Sequence, residues 1–124
     1  MLYEETLTTK IISCAIEIHS VLGPGLLESA YEKCLCHEFT LRKISFQRQK
    51  SLPIVYKGIS LPCSYRMDVV VEEKVVVEIK TVDSVLEVHK AQLLTYLKLS
   101  KLRVGLLFNF SAKYVKDGLV RFVL

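Results

Sequence analysis

The sequence has no tryptophan, and only three prolines and five glycines in 124 residues. That is too little Pro and Gly for a low-complexity or collagen-like chain. It lacks any apolar run near the ~20 residues that a membrane-spanning helix needs, so no membrane partner is expected. Its start, Met-Leu-Tyr-Glu-Glu-Thr, carries two acids where an export signal needs a basic opening. A cytoplasmic location is the expectation. The four cysteines, Cys14, Cys34, Cys36 and Cys63, form no CxxC pair. Cys34-Leu-Cys36 is too isolated to make a zinc site by itself, and a disulfide framework does not suit such a chain. All four are read as free thiols, with Cys14 a small core residue. Charge of one sign is also missing. Seventeen Lys and Arg face thirteen Asp and Glu, leaving +4. That balance permits nucleic-acid binding without demanding it. Only one mild basic group occurs, from Arg42 to Lys50.

What remains is a chain that is 51% hydrophobic and 24% charged, enough for one core and too short for two. Residues 1–124 are expected to form a single domain. Apolar residues at Leu7, Ile11, Cys14, Ala15, Ile18 and Leu22 recur at helical spacing. Gly23-Pro24 stops that helix. A second helix is predicted from about Leu26 to Arg42, burying Leu27, Tyr31, Cys34, Leu35 and Leu41. From Ser45 the period changes to that of strands. Ser45–Lys50 is one, Ile54–Leu61 reads as a hairpin turning at Lys57-Gly58, and Tyr65–Val71 and Val75–Lys80 flank Glu72-Glu73-Lys74. A third helix, about Leu86 to Leu99, shows Val88, Ala91, Leu94, Tyr96 and Leu97. Arg103–Phe110 and Leu119–Leu124 are the last strands. The pattern implies an α/β sandwich with a mixed sheet and a right-handed parallel crossover through the third helix.

Three features carry chemistry. Asp68 interrupts an apolar strand, where Asp is disfavoured. Glu78-Ile79-Lys80 ends the next strand, with Glu78 and Lys80 on one face. Gln92 and Tyr96 share a face of the third helix, with His89 one turn before. Singly, each has an ordinary reading as a solvated or rim residue. Together, an acid in one strand and Glu-x-Lys ten residues later gather three ionisable groups. Two carboxylates held so close repel unless a cation lies between them, and hard oxygen ligands suit Mg²⁺ or Mn²⁺. A lysine beside them can orient a water or stabilise developing negative charge.

Asp68…Glu78-Ile79-Lys80 resembles the Asp…(Asp/Glu)-x-Lys signature of the PD-(D/E)xK nuclease superfamily. Gln92-x-x-x-Tyr96 resembles the extra motif of its RecB-like branch. Gly25-Leu-Leu-Glu28-Ser-Ala-Tyr31 resembles the name-giving motif of the GxxExxY family within that superfamily. The likeness runs through Gly23-Pro24-Gly25, Tyr56-Lys57-Gly58, Tyr65-Arg66-Met67-Asp68, Asn109-Phe110 and Lys116-Asp117-Gly118. Met67 stands where the eponymous proline would be. The resemblance implies a restriction-endonuclease-like α/β sandwich, a mixed central sheet flanked by helices. It implies Asp68, Glu78 and the Ile79 carbonyl as metal ligands and Lys80 as the group that orients the attacking water. Glu28 would complete the metal shell directly or through water. Gln92 and Tyr96 would contact the scissile phosphate or hold Lys80. Tyr31 fits the core or the site, with the core favoured.

The function expected is hydrolysis of DNA or RNA phosphodiester bonds by a metal-activated water, with Mg²⁺ or Mn²⁺ as cofactor. The partner is nucleic acid. Base specificity would be weak, or supplied by a second copy or another protein, because the chain has no room for a separate reading domain. The alternatives are a catalytically silent nucleic-acid-binding or regulatory module, and a purely structural homo-oligomer. Two geometric expectations follow. Glu28, taken as a buried-side carboxylate, should lie near the strand acids. A three-residue loop at Glu72-Glu73-Lys74 makes opposed residues add to 146, which sets Asp68 against Glu78 with Cβ atoms roughly 5 Å apart. A two-residue turn would send them to opposite faces, so the expectation is an odd-length connection, or an even one corrected by a β-bulge that restores the face.

Overall fold

The computed structural model describes residues 3–61 and 65–124. Helix α1 spans Glu5–Leu22 and α2 spans Glu28–Leu41. Strands β1 (Phe46–Ser51), β2 (Ile54–Tyr56), β3 (Ile59–Leu61), β4 (Arg66–Val71) and β5 (Val75–Lys80) follow. Helix α3 (Glu87–Ser100), β6 (Val104–Asn109), the single turn α4 (Val115–Gly118) and β7 (Leu119–Val123) complete the chain. Cys63 lies outside the described residues.

Five strands form one sheet in the order β1-β4-β5-β6-β7. Only β5 and β6 run parallel, joined across α3. The sheet buries both faces. Ile11, Cys14, Ala15 and Ile18 of α1 and Tyr31, Leu35 and Phe39 of α2 pack on Val69, Val71, Val77, Leu106 and Phe108. Leu93, Tyr96 and Leu97 of α3 pack on Val70, Val76 and Leu107 from the other side. This is the mixed α/β sandwich expected.

The stripe of α1 is buried at Ile11, Cys14, Ala15 and Ile18 as its periodicity predicts, but Leu22 at its end is exposed and His19 is buried instead. That of α2 departs further. Leu27 and Leu41 are exposed, and Glu32, Cys36 and Phe39 are buried instead. The helix starts at Glu28 rather than Leu26, because the chain leaves α1 through a corner fixed by Tyr31. The Tyr31 hydroxyl donates to the Gly23 carbonyl and accepts the Leu26 N–H at 3.2 Å. The ring is fully buried and stacks on Phe110, with centroids 4.6 Å apart. Tyr31 is therefore a core residue, and the core also explains why it follows the glycine corner at this spacing. In α3, Val88 is exposed and Leu93 takes the buried position expected of its neighbours.

The β4–β5 hairpin has the three-residue loop. Val71 opposes Val75, Val70 opposes Val76 and Val69 opposes Val77, so the numbers add to 146. Glu72 and Glu73 adopt positive φ of 52° and 56°, the left-handed pair that suits the twist of a tight hairpin. Glu72 accepts the N–H and hydroxyl of Ser45 at 3.0 and 2.8 Å, tying the turn to the start of β1. The β2–β3 hairpin turns at Lys57-Gly58, again both at positive φ.

Candidate active site

Registered pairing of β4 with β5 ends at Val69 and Val77, one step short of the acids. There the carboxylates take over the hydrogen bonding. The Asp68 N–H donates to Glu78 Oε1 at 3.1 Å, and the Ile79 N–H donates to Asp68 Oδ2 at 2.9 Å. Met67 packs against the α3-side core while Val69 packs against the α1/α2-side core. Residues two apart in a regular strand share a face, so β4 turns over at Asp68. The expected register is present, but the regular shared face is not. The acids meet where the ladder opens.

Glu78 is buried, and burial together with the Asp68 charge pushes its carboxyl up from 4.5 to about 9. The folded chain alone holds a proton there at neutral pH. Tyr96 of α3 is buried nearby, and burial, then the charges of Glu78 and Asp68, push its phenol up to about 12. It stays a hydroxyl donor across the physiological range. Lys80 is half-buried at the end of β5, close enough to Glu78 to favour its charged form. The Lys80 carbonyl accepts the Phe110 N–H at 2.9 Å. Beyond it, Asn109 accepts the Val82 N–H and donates to the Val82 carbonyl, at 3.1 and 2.9 Å. This amide pins the chain just after Lys80.

Asp68 and Ile79 line an open pocket of about 300 Å³ with Glu28, Glu32, Arg48 and Gln49. Glu28 thus shares this pocket with Asp68, while Glu78 is not part of its lining. Glu28 is exposed, however, and the buried-side acid of α2 is Glu32. Glu28 is the first residue of α2 and so has no preceding turn to cover it. Gln92 and Tyr96 line a separate groove with Ile54 and Tyr65; of the two, Tyr96 is the one that senses the acids. His89 Nδ1 accepts the Leu86 N–H at 3.0 Å and so caps α3. His19 is buried with Nε2 between the Phe110 and Ala112 carbonyls, and His37 is exposed.

A family model described as the PD-(D/E)XK nuclease superfamily matches residues 5–122. The chain belongs to this superfamily. No curated relative and no solved structure matches the chain. The sheet order and flanking helices agree with the restriction-endonuclease-like architecture of the PD-(D/E)XK superfamily, whose nucleases typically use divalent metals. The residues here suit such an ion. Two carboxylates abut, one of them buried and driven to keep a proton when no other cation neutralises the pair. All their donors are hard oxygens. Among the described residues no three His, Cys, Asp or Glu side chains cluster as a metal site, so the side-chain donors at the centre number two.

Sequence reasoning missed Glu32, Arg48 and Gln49, which meet at this pocket, and gave Asn109 no role. Arg48 was visible as part of the basic group. Glu32 carried no local signal, because its neighbour Glu28 sits at the equivalent point of the motif.

Proposed function

We propose that the chain is a metal-dependent nuclease that hydrolyses DNA or RNA phosphodiester bonds. The observation that carries this reading is the Asp68–Glu78 pair at the open end of the β4–β5 ladder, with Glu78 pushed up to about 9. Asp68, Glu78 and the Ile79 carbonyl are the groups that would hold Mg²⁺ or Mn²⁺, with Glu28 reaching in from across the pocket, directly or through water. The ion, when bound, supplies a Lewis acid that lowers the pKa of water and offsets charge at the phosphate. Lys80, its backbone held by the Phe110 N–H and the chain after it pinned at Val82 by Asn109, orients the attacking water. Tyr96 donates its hydroxyl toward the phosphate or toward Lys80, and Gln92 extends that contact along α3. The Gly25–Tyr31 stretch supports assignment to the GxxExxY group, and Gln92–Tyr96 a RecB-like site. The reading takes residues 1–124 as one cytoplasmic domain that gains base specificity from a second copy or a partner protein.

The test is cleavage of single- and double-stranded DNA and RNA with Mg²⁺ or Mn²⁺, comparing wild type with Lys80→Ala. Cation-dependent cleavage lost in Lys80→Ala is expected. Binding of Mn²⁺ and nucleic acid with no turnover in any combination would favour the silent binding module instead.

A further inference from the structure

Glu32 lies one turn after Glu28 on α2, and it is buried. A buried carboxylate needs partners, and Glu32 takes three hydrogen bonds from two consecutive residues of β1. Arg48 donates Nε and Nη2 to Oε2 at 3.1 and 2.9 Å, and Gln49 donates Nε2 to Oε1 at 2.7 Å. Consecutive residues of a strand normally point to opposite faces. Gln49 reaches the same partner as Arg48 because its φ is 50°, in the left-handed region. A non-glycine residue is strained there and persists only where its surroundings enforce it. The kink falls opposite Asp68. Pairing of β1 with β4 runs Arg48 to Val69 and Lys50 to Met67, and skips Gln49 and Asp68. Asp68 is therefore free of regular ladder pairing on both sides.

The same grip places a cation in the acidic pocket. Arg48 is the one cation lining it among the described residues, facing Glu28, Glu32 and Asp68. Its side chain is 41% exposed, and the bonds to Glu32 use Nε and Nη2, leaving Nη1. The other charged residues of the pocket, Glu28, Glu32 and Asp68, are all acids, a set that repels a polyanion; a fixed guanidinium offers charge and directed N–H groups to a phosphate oxygen.

We propose that Arg48 is the phosphate-binding group of this pocket, and that Glu32 is the positioning residue that fixes its guanidinium beside Asp68. This assignment rests on reading Asp68 and Glu78 as the acids of a phosphodiester site. The ligand is the sugar–phosphate backbone of a strand passing those acids.

The test uses Lys80→Ala as the parent, so that binding is measured without cutting. Labelled DNA and RNA duplexes are titrated by fluorescence anisotropy in Mn²⁺ over a range of salt, and Mn²⁺ itself by calorimetry. Arg48→Gln should weaken nucleic-acid binding about tenfold or more and lower the slope of log affinity on log salt by about one, with the Mn²⁺ site retained. Glu32→Gln keeps the Arg48 charge, so its slope should hold while affinity falls. Since Arg48→Gln strands part of a buried carboxylate, the double variant Glu32→Gln/Arg48→Gln removes both charges and repeats the measurement in a folded chain. Unchanged affinity and slope in that double variant overturn the Arg48 assignment alone. Loss of the Mn²⁺ site together with nucleic-acid binding also overturns it, because Arg48 would then be structural. A parent that binds neither Mn²⁺ nor duplex overturns the underlying nuclease reading as well.

Discussion

The Asp68 N–H donates to the Glu78 carboxylate, while the Asp68 carboxylate accepts the N–H of Ile79, the residue after Glu78. Each acid thus supplies hydrogen bonding that the β4–β5 ladder no longer provides at this point. The exchange holds two like-charged groups in contact, at the cost of driving a proton onto one of them.

That proton makes metal-free stability depend on pH. Glu78 keeps it up to about 9 when folded, against 4.5 for an ordinary glutamate. Between those values the folded state binds more protons than the unfolded one, so stability falls as pH rises. The contribution is complete below pH 4.5 and gone above about 9. In chelator, the thermal midpoint should drop across this window, and Glu78→Gln should flatten the drop. Metal competes with the proton, so Mn²⁺ affinity should rise with pH over the same range. A flat wild-type profile in chelator would remove the premise.

Both acids are needed for the ion. Calorimetric titration of Mn²⁺ should find a site in wild type that is lost in Asp68→Asn and in Glu78→Gln. In the absence of metal each variant removes or lowers the cost of keeping Glu78 protonated at neutral pH, and should raise the thermal midpoint there. Unchanged Mn²⁺ binding in both variants would discard the central assignment.

Tyr31 tests the corner that presents Glu28. Tyr31→Phe keeps the stack on Phe110 but removes the hydroxyl shared by the Gly23 carbonyl and the Leu26 N–H. The expected loss is about 1–2 kcal/mol, with faster amide exchange at Leu26 and little change at the far end of the sheet. Equal stability and exchange would mean that the corner holds without the hydroxyl.

Gly118 touches the support behind Lys80. A Cβ there would collide with the Asn109 carbonyl oxygen, and backbone cannot yield as a side-chain tip can. Gly118→Ala should cost about 1–3 kcal/mol and displace the Asn109 amide from Val82, visible as changed NMR shifts at Val82 and Lys80. A variant as stable as wild type, with those shifts unmoved, would show that the contact relaxes freely.

Local pattern determined much of this protein. Helical spacing in Leu7–Leu22, the strand runs ending at Lys80, the Lys57-Gly58 turn and the odd loop at Glu72–Lys74 were all legible, because each depends on neighbours within a few residues. The odd loop sets the register that brings Asp68 toward Glu78, so the acid pair was legible too. Only the tertiary structure decided which acid of α2 is buried, since that depends on how Tyr31 docks on Phe110, 79 residues away along the chain. It also decided the turning over of β4 at Asp68 and the left-handed Gln49 opposite it. The departure at Gln49 goes with Glu32, which is carried in on a helix and bonds two consecutive residues of β1 at once, and no periodicity within β1 encodes a contact made by another element.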